Sequence, residues 1–266
     1  GGGKEGGAMA PIVAHPDVQR MLLTMKALTQ ASRAICYLTA AALDRAHAAP
    51  DAQARRRAHE TASLLTPVAK AFSTDCANEV ASIGVQVHGG MGFVEETGAA
   101  QHMRDARILA IYEGTNGIQA IDLVMRKLPL SGGETVRARI ADMRAIVSRL
   151  AREGGDEYGD TAARLRETVE ALDRATSHLL KTLAGNAQDE ALAGASPYLR
   201  LFGLAQGGVA LAQAAMASPS DDPRRAARAA LARFFAENLA VAGAGLADSV
   251  LRGAGSFTGV EAALAE

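Results

Sequence analysis

A carboxylate and a set of glycines in one short stretch carry the chemistry this sequence could perform. Glu113 follows Ile108, Leu109, Ile111 and Tyr112 and precedes Gly114. A Glu has a reference pKa of about 4.3, too acidic to draw a proton from most carbon acids, and excluding water raises it by penalising the charged form. The apolar run offers such a setting for a general base, and Gly114 leaves space for a substrate. Taken alone, the same Glu also fits an exposed residue near a helix N-terminus, stabilised by the helix dipole. Residue type and spacing favour that plainer role.

The glycines have two readings as well. Gly89, Gly90 and Gly92 lie within Gln86-Val87-His88-Gly89-Gly90-Met91-Gly92-Phe93. Glycine lets a backbone approach a large ligand and present N–H groups to its oxygens, but the same residues also make a helix C-cap and a tight turn. They are not a dinucleotide fingerprint, because no strand precedes them and the spacing departs from G-x-G-x-x-G. His88 has no His, Cys or carboxylate at ligand spacing, so no metal site is expected. Arg104, Asp105 and Arg107 read as local ion pairs, and Met21, Met25 and Met91 as core or turn fillers.

The elements that must hold this stretch are helices. Pro16 and Asp17 suit a first turn, and Val18, Met21, Leu22, Met25, Leu28, Ile35 and Leu38 then recur at helical spacing as far as Ala49, before Pro50. A second long helix is predicted from Asp51 into the glycine turn, with Leu64, Val68, Phe72, Val80, Ile83 and Val87 inward. Glu96 to Arg107 is a shorter helix, and Ile108 to Gly114 a buried connector. Thr115 caps a helix running to Leu128, which Pro129 ends.

Beyond it, Ser131-Gly132-Gly133-Glu134 has capping-box spacing, and Val136, Ile140, Met143, Ile146 and Leu150 mark an inner face. Gly154 and Gly155 break that helix. Later helices are predicted from Thr161 to Ala184, Glu190 to Met216, and Asp222 to about Arg252, the last opened by Ser220-Asp221-Asp222-Pro223. Few segments alternate like strands. The fold class is therefore all-α, one helical bundle followed by a second. A linker is expected over 1–14, one domain over 15–130 and another over 134–266.

The 266 residues are 48% hydrophobic and only 4% aromatic, with a formal net charge of -1. That charge gives no general attraction to nucleic acid or anionic membrane. Arg55–Arg57 and Arg224, Arg225 and Arg228 read as solvated helix faces. Cys36 and Cys76 are too few for a disulfide framework and fit reduced thiols in the cytoplasm. No apolar run approaches the roughly 20 residues of a membrane span, and no secretory signal is visible.

Taken in order, Gln86 to Phe93, Arg104-Asp105-Ala106-Arg107-Ile108, Ile111-Tyr112-Glu113-Gly114-Thr115-Asn116 and Ile118-Gln119 resemble the C-terminal helical domain of acyl-CoA dehydrogenases. The likeness covers about residues 15 to 128. The helices after Glu134 resemble the C-terminal extension of a bacterial subgroup that includes enzymes acting on methylthio-substituted acyl-CoA.

The resemblance implies an FAD enzyme that converts an acyl-CoA thioester to a trans-2-enoyl-CoA and passes electrons to electron-transferring flavoprotein. It makes Glu113 the base that takes the α-proton. By the same resemblance, Tyr112 and Gly114 would lie against substrate, and Thr115 and Asn116 near the flavin. Gln86, Val87, His88, Gly89 and Gly90 touch the ADP part of FAD across the subunit interface of a homodimer or dimer of dimers. Gly117 departs from the acidic or amide residue frequent there in relatives, which leaves only a backbone contact at that position.

Nothing resembles the helical and β-domains that precede this region in family members, so the chain is expected to be part of a longer dehydrogenase and to turn over poorly alone. Two other readings share these residues: a non-catalytic helical oligomerisation fragment, and an acyl-CoA oxidase that hands electrons to oxygen. The charge of -1 argues against a DNA-binding relative.

Overall fold

Pro16 and Asp17 sit in the first turn of α1 (Pro16–Ala48), where a missing N–H costs nothing and an acidic side chain meets the positive end of the helix dipole. Pro50 follows directly, and Asp51 caps α2 (Ala52–Val87) by accepting from the Ala54 N–H at 2.7 Å. At a rise of about 1.5 Å per residue, the two helices form an antiparallel pair roughly 50 Å long. The computed structural model describes residues 10–265. The linker expected over 1–14 lies outside the described residues as far as position 9, and Ile12–Ala14 form a single 3-10 turn.

The chain continues through one helical turn, α3 (Gly90–Phe93), then α4 (Ala99–Leu109) and α5 (Asn116–Asp122). A π turn over Leu123–Lys127 extends α5 toward Pro129. The second group comprises α6 (Glu134–Glu153), α7 (Thr161–Ala184), α8 (Gln188–Ala193), α9 (Ala195–Met216), α10 (Arg225–Phe234), α11 (Gly243–Arg252) and α12 (Val260–Leu264). Among the described residues no strand occurs.

Three expectations are corrected. Ser131 does not cap α6: it takes φ 49°, and its hydroxyl reaches across to Glu60 at 2.9 Å, leaving Gly133 in the left-handed region as the N-cap. The helix expected from Glu190 to Met216 is two, meeting at Gly194. The helix expected from Asp222 starts at Arg225, and a π turn (Phe235–Leu239) and a 3-10 turn separate α10 from α11.

The two groups share one continuous core. Leu28, Ile35, Leu64, Val68 and Phe72 of the first pair belong to the same buried cluster as Ile140, Met143, Leu172, Phe202, Val209 and Phe235. Its centre is α9, sixteen of whose residues are buried, against nine of the much longer α2. Small residues let α9 approach its neighbours. A Cβ on Gly203 would lie 2.1 Å from the Phe72 ring, and one on Gly208 would lie 2.6 Å from Leu165.

Beside Gly203, the largely buried Arg200 lies over the Phe72 face, 5.2 Å from its centroid, and pairs with Glu79 at 2.9 Å. Such a stacked, desolvated cation is worth about 1–2 kcal/mol. Cys76 lies beneath it, and burial pushes its thiol pKa up to about 11. Tyr198, fully buried, shares a 2.7 Å hydrogen bond with Thr176 on α7.

One helical stretch among the described residues, Arg225–Phe257, is long and apolar enough to cross a membrane by length and composition. It exceeds the expectation that no such run exists, because Ala-rich turns join into one path. Ala229, Phe235, Ala236, Ala240 and Val250 bury its inner side in the shared core.

Gly203→Ala is expected to destabilise the fold by about 1–3 kcal/mol, because the Phe72 ring has no open side to move into. Gly245→Ala, which meets nothing within 4 Å on α11, is expected to be neutral or mildly stabilising. Urea unfolding of the two variants distinguishes the sites.

Glu60 gives a pH prediction. Hydrogen bonds from Thr135 and then Ser131 hold its carboxyl below the usual range. A lowered native pKa adds stability that is complete above the unfolded value of about 4.3 and disappears as pH falls through the native value. Glu60→Ala should therefore lower the urea midpoint at pH 7, and the difference from the parent should narrow on acidification toward pH 3.

Candidate functional site

The site is a rim built on the open side of α2. After Cys76 no residue of α2 is buried, and α3, α4 and α5 pack along this stretch. Each glycine of the turn has a separate physical account. Gly89 holds φ 63°, which side chains disfavour. Gly92 is required by proximity, since a Cβ there would stand 2.2 Å from the Val85 carbonyl oxygen. Gly90 has ordinary φ and nothing within 4 Å of a Cβ, so no contact among the described residues explains its lack of a side chain.

Gln86, His88, Gly89 and Gly90 are exposed and Val87 is half-buried. His88 Nδ1 lies 2.8 Å from the Gly84 carbonyl, a local bond that orients the ring. Among the described residues no cluster of three metal-ligating side chains occurs.

Glu113 itself stands in the left-handed region with φ 54°, followed by Gly114 at φ 84°. A non-glycine residue there carries about 1–3 kcal/mol of strain and persists only where its surroundings fix it. The surroundings here are specific. Gln119 Nε2 donates to the Glu113 carbonyl at 3.4 Å, and Lys70 Nζ donates to the Gly114 carbonyl at 2.8 Å. Lys70 also donates to Asn116 Oδ1 at 2.9 Å, while Asn116 Nδ2 donates to Thr74 Oγ1 at 2.9 Å and Asp75 Oδ1 at 2.6 Å. The Asn116 N–H closes the loop onto the Ala110 carbonyl at 3.1 Å. Thr115 caps α5 as its sequence position implies, accepting from the Ile118 N–H at 3.3 Å.

Several expected placements change. Glu113 is exposed, and the connector before it is not buried, with Ile108, Ile111 and Tyr112 all facing outward. The reason is geometric: α4 turns only Ala99, Ala100 and Ala106 inward, so among the described residues nothing covers the larger side chains. The Asn116 side chain bonds to Lys70, Thr74 and Asp75 of α2. Met91, expected to fill the turn, is 60% exposed. Arg104 makes the local ion pair its position implies, with Glu95 at 2.6 Å, while Asp105 accepts from Gln101 instead of pairing with an arginine.

The outward residues form a contiguous theme. Phe93 (83% exposed), Met103, Ile108, Ile111, Tyr112, Ile118 (54%) and Ile121 all come from the stretch that also carries Glu113. Two open grooves adjoin it. One, of about 820 Å³, lies between α1 and α2 and reaches His88, Thr97 and His102. The other, of about 730 Å³, lies between α2 and α4 and is lined by Asn78, Val85, Phe93, Met103 and Arg107. Glu113 lines neither of these two grooves.

Sequence reasoning missed Lys70, Thr74 and Asp75. The spacing of four between Lys70 and Thr74 places those two on one side of α2, and that pair was the available signal.

Comparison with known proteins agrees with this architecture. The family described as "Acyl-CoA dehydrogenase, C-terminal domain" matches residues 4–128, and "Acetyl-CoA dehydrogenase C-terminal like" matches residues 137–261. A 3-methylmercaptopropionyl-CoA dehydrogenase of Ruegeria pomeroyi is 46% identical over 237 residues, covering 87% of this chain and 40% of that protein. Among solved structures, ACDH-11 of Caenorhabditis elegans in complex with C11-CoA aligns with a TM-score of 0.67 at 21% identity, over 85% of this chain and 37% of the other. An acyl-CoA dehydrogenase of Bacillus anthracis complexed with FAD also gives 0.67, at 18% identity, over 94% and 44%. These likenesses support the helical fold. The chain spans well under two thirds of the length of each relative.

The glycine accounts are testable by stability alone. Gly92→Ala should cost about 1–3 kcal/mol, because backbone must move. Gly90→Ala should stay within about 0.5 kcal/mol of the parent. Chemical denaturation of both variants measures the difference.

Proposed function

This chain belongs to the acyl-CoA dehydrogenase family, of which it carries the C-terminal helical domains, and we propose that it is the part of an FAD-dependent dehydrogenase in which Glu113 acts as the base. The reaction takes a proton from Cα and a hydride from Cβ of an acyl-CoA thioester and leaves a trans-2-enoyl-CoA. Bound FAD supplies the acceptor for the hydride. The chain's own residues supply the rest.

The observation that carries the reading is the conformation of Glu113. Strain at a non-glycine residue, tied down by side chains from α2 and α5, is the mark of a group held for a purpose. A positioned carboxylate converts proton removal into a step within one complex. It must also lose its water, and this chain leaves it exposed. The apolar rim around it fits burial by the portion of the relatives' length that this chain does not span, or by a second subunit of a homodimer or dimer of dimers. Tyr112 and Gly114 flank the base and would meet the substrate.

The residues present fit the flavin in part. Gly90, open and without a structural reason for lacking a side chain, suits close approach of cofactor oxygens to the backbone from Gln86 to Gly90. Thr115 is exposed, and its hydroxyl proton remains available while its oxygen caps α5. Asn116 belongs instead to the support beneath the base. Electron-transferring flavoprotein as acceptor and a cytoplasmic setting, compatible with the free Cys36 and Cys76, complete the proposal.

Glu113→Gln, in the full-length protein, keeps the shape of the side chain and removes its capacity to accept the α-proton. Turnover of acyl-CoA substrates, beginning with 3-methylmercaptopropionyl-CoA, should fall at least about 100-fold, with the flavin absorbance of the purified protein unchanged. Turnover at the parent rate would refute the assignment.

A further inference from the structure

We propose that Lys70 is a positioning residue for Glu113, its ammonium fixing the left-handed Glu113–Gly114 pair onto α2 through the Gly114 carbonyl and Asn116 Oδ1; this rests on the reading of Glu113 as the base. The two carbonyls of the strained pair are the handles by which the loop is held. One is taken by Gln119 at 3.4 Å, a long bond, and the other by Lys70 at 2.8 Å. The shorter bond is also the charge-assisted one, which makes it the stronger of the two.

Lys70 sits on a prepared base. Its own carbonyl accepts from the Thr74 hydroxyl at 2.9 Å, and that same hydroxyl oxygen receives the Asn116 Nδ2 donor. Asp75 takes the other Asn116 amide hydrogen at 2.6 Å. The amide of Asn116 is thereby locked in one orientation, with its oxygen turned to Lys70. The geometry also explains a lysine on a helix whose adjacent residues Val68, Ala71 and Phe72 are buried. Its stem lies half-buried along α2, and its head reaches 44 residues along the chain to the loop.

The role is mechanical and has an electrostatic condition. A neutral, unbranched side chain of similar volume fills the same space without donating. The left-handed pair then relaxes toward ordinary φ values, and the carboxylate shifts from its place above the substrate. Misplacing a base by about 1 Å is enough to cost about 100-fold in rate.

The test compares Lys70→Met, Lys70→Arg and Glu113→Gln in the full-length protein. In Lys70→Met, amide hydrogen exchange over residues 110–119 should accelerate at least about tenfold, while α6 and α7 exchange as in the parent. Its kcat should fall about 10- to 100-fold with KM changed less than about threefold, and the isotope effect on kcat with α-deuterated substrate should rise. Lys70→Arg, which retains donors of the same charge, should recover most of both properties. If Lys70→Met keeps the parent exchange rate over 110–119, or keeps the parent kcat while Glu113→Gln loses it, Lys70 is not the positioning group and the base assignment stands. If Glu113→Gln retains turnover, the base assignment fails and the positioning role fails with it.

Discussion

The contact between Phe72 and the bare backbone of α9 at Gly203 is the constraint on which the rest of the molecule depends. It sets how near α2 can come to the centre of the core, and Arg200 seals it from the side by stacking on the same ring and pairing with Glu79. With one side of α2 fixed in this way, its other side becomes a rigid base. Lys70, Thr74 and Asp75 rise from that base to hold the loop that carries Glu113. The strained Glu113–Gly114 pair is tied by Lys70 to this packed helix.

The rim shows the opposite economy. The side chains that would complete a water-free site face outward, and the residues turned inward on α4 are alanines. Such a surface is stable chemistry only when covered, since exposed area of this kind carries a free-energy cost of about 25 cal/mol per Å². The chain thus contributes a floor and a base to the proposed site. In that proposal, water exclusion is left to groups outside the described residues.

Much of this was legible in the residues. Pro16, Asp51 and Thr115 mark helix starts through local stereochemistry, which acts within a few positions and so can be read directly. The ordered motifs from Gln86 to Gln119 pointed to the family. The failures have a common cause. Ser131 had the right spacing for a cap, but its hydroxyl found Glu60 instead, 71 residues away. Lys70 carries no mark of its role in the sequence around it, because its partners lie across the fold. Glu113 sits in an apolar run, yet apolar neighbours bury a residue only when something packs on them. Local rules give elements, whereas these three outcomes were decided by tertiary contacts.

The shared core also bears on how such a chain could arise. Leu64, Phe72 and Cys76 are enclosed by the second helical group, so that group is not an appendage joined by a tether. A lineage gaining or shedding residues beyond Leu128 would have to repaint one whole side of α2, exchanging oil for charge at each of these positions. A chain with only one of the two changes would leave apolar side chains in water or bury unpaired charge, and either would destabilise it.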